Sequence, residues 1–260
     1  LAGICGFWTY YMYTGDASLI KEVYRPSIDY VNLWSIGADG LVIHRPGSWD
    51  WLDWGSNIDV VTLENAWYYY ALSRIRNMAN LLGDSAQAVR LTERMSGLYN
   101  AYQKLWMDGA GYMSTCIRED NHRKTENPTC DERGDAIAVL AGLCPEEKYP
   151  EVTQILFQMR NSSPYMEYYV QEALCRMGEF EKMSQRTLER YGKMIADPYS
   201  TLDEVWDQNG SKNHGWSGGS LVAASRYLAG IQPTAPGWEE AEIAPQFAGL
   251  TRISWLVPTC

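Results

Sequence analysis

Hydrophobic positions recur at helical spacing in nine segments, and the segments alternate between two kinds along the chain. One kind is apolar nearly all round: 2–13, 60–82, 134–143, 165–177 and 218–231. In the stretch NAWYYYALSRI, for example, Trp67, Tyr70, Ala71 and Ile75 cover one face while Tyr68 and Leu72 cover another. Such a helix is buried on several sides. The other kind is amphipathic: 18–34, 85–106, 150–160 and 179–191. In 85–106, Ala88, Leu91, Met95, Leu98, Tyr102 and Leu105 form a stripe, with Arg90, Glu93, Arg94 and Lys104 facing away. A helix of this kind needs cover on one side only.

The turns from the first kind to the second are tight: YTGDAS, LLGDSA, LCPEEKYP and RMGEFEK. Three carry a Gly suited to a helix end, and an acid or Ser follows where the next helix begins. Repeating hairpins with an inner and an outer member predict an all-α fold, an (α/α)6 toroid of inner helices wrapped by outer ones. Five inner and four outer helices are visible. A closed six-hairpin ring has twelve, so the pattern expects about three upstream and a toroid incomplete at its N-terminus. The opening LAGICGFW, apolar and without an initiator Met, is expected for a piece of a longer polypeptide. After Ile231 the helical period stops, and TRISWLVP reads as a strand. The predicted division is 1–232, a partial barrel, and 233–260, the start of a β-sandwich domain.

Most returns from outer to inner helix are long: 35–59, 107–133 and 194–217. Long loops between helices are usually functional, and these all emerge above the N-termini of the inner helices. Composition narrows the ligand. No apolar run reaches the ~18 to 20 residues that span a bilayer, and a net charge of −10 disfavours nucleic acid. The chain holds 11 Trp and 18 Tyr but only 4 Phe. Aromatic rings with a polar edge suit a ligand that has apolar C–H faces and many hydroxyls, such as a sugar. Six cysteines contain no C-x-x-C spacing, which disfavours a zinc ribbon. Cys5 and Cys175 sit in apolar patterns, Cys116 and Cys130 flank a loop that a disulfide could close, and the compartment stays open.

The uncommon residues gather in the three loops. GSWDWLDWGSNID alternates carboxylates and indoles: Trp49, Asp50, Trp51, Asp53, Trp54. The last loop carries Glu204, Trp206, Asn213, His214 and Trp216, and the middle one runs into Asp131, Glu132, Arg133 and Asp135. Acids among indoles are what glycoside hydrolysis needs: one carboxyl protonates the leaving oxygen, another activates water, and rings hold the sugar plane. Structural readings compete. Asp53 serves equally as a helix or turn cap, Asp131 or Asp135 as the cap of an inner helix, and Glu132 with Arg133 as an ion pair at the rim. WSGGS before the last inner helix reads as close backbone packing. His44 and His122 read as surface.

The order of NAWYYYALSRIRNMANLLGD, ERGDAIAVLAGL, EYYVQEALCRMGEFEKM, a Glu-x-Trp segment, NHGWSGGSL and YLAGIQPTAPGWEEAEIAPQ resembles the catalytic domain of bacterial α-L-rhamnosidases, glycoside hydrolase family 78. The resemblance implies an (α/α)6 barrel followed by a β-sandwich, and hydrolysis of terminal α-linked L-rhamnose with inversion. The family's Trp-Glu-x-Trp segment, whose Glu is the general base, matches LDEVWD, which puts that role on Glu204 and replaces the first Trp with Asp203. Its Asn-His pair on the sugar matches Asn213 and His214, and its Gly-Asp-Trp loop implies that Asp50 and Trp51 line the pocket. Trp54, Trp206 and Trp216 join the expected sugar contacts, with Glu132 and Asp53 as further candidates. The family's general acid lies on an upstream Asp-Glu-Arg, Trp-Thr-Gly-Asp stretch, which CDERGD imitates only in part. Glu132 is therefore not given the acid role. No metal or organic cofactor is expected; the expected partner is a rhamnose-containing carbohydrate. Other (α/α)6 glycosidases and a non-catalytic sugar-binding homologue remain alternatives.

Overall fold

The alternation of helix types is realised as paired layers. The structure, a computed structural model of the chain, describes residues 1–45, 52–53, 57–114, 130–196, 198–199, 201–207 and 209–257. Among these, the inner helices are α1 (Ala2–Thr14), α3 (Val60–Leu81), α5 (Glu132–Ala141), α7 (Pro164–Arg176) and the short α9 (Gly219–Ala223). The outer ones are α2 (Ser18–Val31), α4 (Ser85–Tyr102), α6 (Tyr149–Gln158) and α8 (Phe180–Ala196). Each inner helix packs on the next, from α1 through α3, α5 and α7 to α9, while α2, α4, α6 and α8 cover them from outside. No helix among the described residues is long and apolar enough to cross a membrane.

Local chemistry sets the helix ends. Asp59, Asp84, Asp131 and Ser163 cap α3, α4, α5 and α7, each accepting an amide of the first turn that has no partner inside the helix. Gly15 and Gly142 end α1 and α5 at φ of 71° and 79°, where a side chain is disfavoured. Burial follows the predicted faces. On α4 the buried residues are Ala88, Leu91, Met95, Leu98, Ala101 and Tyr102, one stripe. On α3 both Tyr68 and Leu72, on one face, and Trp67, Ala71 and Ile75, on another, are sealed. The helix α1 departs from expectation: Ile4 alone is buried, and Tyr10 is 44% exposed. Among the described residues its main cover is α2, α3 and the 236–238 turn, where the Tyr13 and Trp238 rings meet edge to face at 5.6 Å.

The last inner helix is shorter than its pattern. After α9 the chain widens into a π-helical turn, Ala224–Leu228, and leaves helix before 231. Gly230 explains the exit: a Cβ there would stand 2.2 Å from the Ala244 carbonyl oxygen. The first C-terminal strand begins two residues before the expected boundary at 233. It is β3 (Ile231–Pro233), antiparallel to β4 (Ala241–Ile243), with Ile231 opposite Ile243; the earlier strands β1 (Trp106–Met107) and β2 (Gly111–Tyr112) form a small hairpin. The strand expected at TRISWLVP is absent, and 251–257 is irregular. A strand persists only when its backbone groups find a ladder, and among the described residues β4 pairs with β3 alone.

Candidate functional site

Three inner helices begin side by side, and charges tie their starts together. The Asp59 carboxylate takes the amides of Thr62 (3.1 Å) and Ser114 (2.6 Å), so the cap of α3 also anchors the loop that follows β2. The Asp59 amide donates to Asp131 Oδ2 at 2.9 Å, joining α3 to α5. Asp131 in turn accepts from Arg133 Nε at 2.6 Å, and Arg133 Nη1 reaches Asp53 Oδ2 at 3.0 Å. Asp53 also accepts from the amide of Ser163 (3.1 Å) and from its hydroxyl, which puts it at the start of α7. Burial would depress the Arg133 guanidinium, but Asp131 and Asp53 outweigh it and hold it above the usual arginine range.

A second network lies beneath. Glu132 accepts from the Ser162 amide (2.8 Å) and from Asn161 Nδ2 (3.0 Å). Arg186 on α8 donates from Nε and Nη2 to the two oxygens of Glu167 on α7, at 2.7 and 2.8 Å, and stands 3.8 Å from Glu132. Glu132, Arg133, Glu167 and Arg186 are fully buried. The rim ion pair between Glu132 and Arg133 is thereby corrected: with both sealed, each needs its own complete set of partners, and Arg133 finds Asp131 and Asp53. Asp131 is the cap of α5. Asp135 instead accepts the Tyr112 amide at 2.9 Å, with Oδ2 unpartnered, and a Cβ on Gly111 would come within 2.5 Å of that oxygen. Burial, reinforced by Asp131, Glu132 and Asp59, pushes the Asp135 carboxyl well above the ordinary carboxylate range.

Residues 202–207 and 209–217 form an irregular hairpin that presents Glu204. Asp203 bridges to Lys212 across it. The Glu204 amide donates to the Ser211 carbonyl at 2.9 Å, and the Ser211 amide returns to Glu204 Oε2 at 3.0 Å. Trp216 Nε1 donates to the Glu204 carbonyl at 3.2 Å, and the His214 amide to the Leu202 carbonyl at 3.0 Å. Gly210 allows this closeness, since a Cβ there would sit 2.8 Å from Glu204 Cβ. The His214 ring lies over Trp216 at 4.1 Å, and Tyr165 backs Trp216 at 5.9 Å. Asn213 adopts φ of 55°, which a short polar side chain tolerates. The Ser211 amide, more than the nearby His214, holds Glu204 below the usual glutamate range. The carboxylate is thus kept ionised. Asp203 is fully buried, with Lys212 Nζ at 2.9 Å from Oδ1.

The sequence-predicted residues divide into groups. Glu204, Asn213, His214 and Trp216 share one hairpin. Asp53 and Glu132 are consumed by the floor. Asp50, Trp51 and Trp54 lie outside the described residues, as do Cys116 and His122. Trp206 stands apart: its ring faces Arg190 and Tyr191, and its N–H goes to the Ser162 carbonyl. His44, read as surface, is half-buried with Nδ1 2.8 Å from Glu64, which also accepts from Trp34 Nε1 at 2.7 Å. A buried carboxylate on α3 draws the imidazole inward. Within WSGGS the packing falls on Gly219, where a Cβ would be 2.3 Å from Tyr168 Cβ. Sequence reading missed Asp59, Ser163, Glu167, Arg186, Arg190 and Lys212. A signal existed on α8: Arg186 and Arg190 occupy the helical stripe of Met183 and Met194, on the face an outer helix buries.

Comparison with known proteins agrees with this fold. The family described as the bacterial alpha-L-rhamnosidase 6 hairpin glycosidase domain matches residues 2–223. A family 78 rhamnosidase of Bacillus sp. GL1 superimposes with a TM-score of 0.78 at 23% identity, over 95% of this chain and 28% of that one. The Streptomyces avermitilis α-L-rhamnosidase complexed with L-rhamnose gives 0.74 at 17% identity, covering 94% of this chain and 24% of that one. For the Aspergillus terreus α-L-rhamnosidase the values are 0.71 and 18%, with 92% and 30% coverage. These likenesses show the fold, and the chain spans less than a third of the length of each of the three. Comparison with curated proteins gives no match.

Proposed function

The chain belongs to the bacterial alpha-L-rhamnosidase six-hairpin glycosidase family, and from that premise we propose that it forms part of the catalytic barrel of a hydrolase cleaving terminal α-linked L-rhamnosides with inversion. The observation that carries this reading is Glu204: ionised, half-exposed, gripped by its own hairpin, and beside an imidazole stacked on an indole. A general base must be charged and open to water, and Glu204 is both. His214 with Trp216 offers the polar and flat surfaces that a deoxysugar presents in mirror image, and Asn213 adds an amide beside them. The Streptomyces avermitilis relative is complexed with L-rhamnose, by its description, and supports the choice of sugar.

Water activated by Glu204 attacks the anomeric carbon, while an acid on the opposite face protonates the departing oxygen. Inversion asks that the two carboxyls stand ~6.5 to 9.5 Å apart, leaving room for that water. Asp53, Asp131, Glu132 and Glu167 are not assigned the acid role, because each is sealed and spent on neighbours. Asp203, where the family has a Trp, turns its carboxylate inward to Lys212.

The test is Glu204→Gln in the full-length protein, assayed on an aryl α-L-rhamnoside. Turnover is expected to fall by ~10² to 10⁴, the usual worth of a general base, with the melting temperature unchanged. Near wild-type rates would remove Glu204 from the mechanism. A panel of aryl glycosides on the unaltered protein separates rhamnose from the sugars of other (α/α)6 glycosidases. L-rhamnose binding without hydrolysis of any of them would identify a sugar-binding homologue instead.

A further inference from the structure

Trp206 lies two residues beyond Glu204, so whatever fixes the indole also fixes the base. Its Nε1 donates to the Ser162 carbonyl at 2.8 Å, the Arg190 guanidinium lies 4.0 Å from the ring centroid, and Tyr191 meets it edge-on at 5.0 Å. One face, the edge and the only polar group of this indole are therefore spent on the barrel. Arg190 joins it to the buried charges: Nη2 donates to the same Ser162 carbonyl, Nη1 to the Arg160 carbonyl at 3.2 Å, and Nε stands 3.4 Å from Glu167. Its side chain is 10% exposed.

We propose that Arg190 is a positioning residue for Glu204, acting through Trp206, and that Trp206 is a strut between hairpin and barrel, not a platform for the sugar. The inference rests on Glu204 being the base. Arginine suits the post for a physical reason. A planar guanidinium stacks on an indole with its face while donating to carbonyls and a carboxylate in its plane. A lysine at 190 keeps the charge opposite Glu167 but forfeits the stack and the forked donation. The hydrogen bonds of Ser211 and Trp216 to Glu204 lie within the hairpin itself, and Tyr165 on α7 backs Trp216 from the barrel. The contacts of Trp206 run instead to the barrel, and a displacement near 1 Å in a reacting group costs ~10²-fold in rate.

Arg190→Lys and Trp206→Phe in the full-length protein test this. On an aryl α-L-rhamnoside, Arg190→Lys is expected to lower kcat ~10- to 100-fold with KM within about threefold. Trp206→Phe, which keeps the face and loses the N–H, should show a smaller fall of the same kind. In a Glu204→Gln background Arg190→Lys should have no further effect on the residual rate, because the group it positions is already gone. An equal loss in both backgrounds overturns the proposal, as does a rise in KM at constant kcat for Trp206→Phe, the signature of a lost sugar platform. Amide exchange at Glu204 and Ser211 reads positioning without turnover, and faster exchange in Arg190→Lys is expected there. If the unaltered protein hydrolyses no rhamnoside, the functional reading falls while exchange still decides the strut: unchanged exchange in both variants overturns it.

Discussion

Arg133, Arg186 and their carboxylate partners are sealed beneath the starts of α5 and α7, whereas Glu204 stands half-exposed on a hairpin held mainly by backbone bonds. Both regions are rich in charge, and they use it in opposite ways. In the floor every carboxylate accepts from a guanidinium, a hydroxyl or an amide, Asp135 through one oxygen alone, and these bonds orient three helices. In the hairpin the Ser211 amide, with the nearby His214, leaves Glu204 ionised. Buried ion pairs contribute less to net stability than their number suggests, since desolvation offsets much of the attraction. Their worth lies in geometry, because each guanidinium accepts only one arrangement of partners. Chemistry needs the reverse: a group whose charge is not already neutralised.

The contrast can be broken most directly at Arg186. Arg186→Met strands Glu167 in the interior, and breaking such a pair is expected to cost ~3 to 5 kcal/mol, read as a lower midpoint in denaturant. A loss under ~1 kcal/mol would mean that the floor is not structural. Smaller is the effect of Gly219→Ala, whose methyl would overlap Tyr168 Cβ at the α7–α9 contact; overpacking of this kind costs ~1 to 3 kcal/mol. Rates for that variant should fall only through loss of folded protein.

Asp135 sharpens the contrast through pH. Its carboxyl is raised in the folded chain, so the folded state holds a proton that the unfolded state releases above about pH 4. Stability contributed by this site is therefore fully present below that pH and declines as pH rises toward the folded value. Asp135→Asn should flatten the decline and be more stable than the unaltered protein at pH 7; a steeper decline in the variant contradicts the assignment. The mildest effect belongs to Glu204. Because its carboxyl lies below the usual glutamate range, kcat/KM should hold down to about pH 4 and fall only as the base protonates. An acid limb near pH 6 would point to another group.

The helices were legible because burial leaves a period. The stripe Ala88, Leu91, Met95, Leu98 has one solution, a helix covered on one side, and α4 adopts it. The hairpin with Glu204, Asn213, His214 and Trp216 was legible as a cluster, since its residues are close in sequence. The floor was not. Asp53 meets Ser163 across 110 positions, and Arg133 meets Asp53 across 80. Nothing in a local pattern states that three caps will be chained. The contacts of Trp206 were hidden for a related reason: an indole beside a carboxylate reads as a sugar platform, and only the third dimension supplies Arg190 against its ring.

What the sequence alone determined is the alternation of inner and outer helices, the tight and long connections between them, and the loop that carries Glu204. These follow from periodicity and turn chemistry, which act over a few residues. Only the tertiary structure decided which charges are consumed and which remain free, that α1 is open along much of its surface, and that the chain turns from helix to strand at Gly230. Pairing of buried charges depends on distances between remote segments. That quantity exists only once the helices have packed.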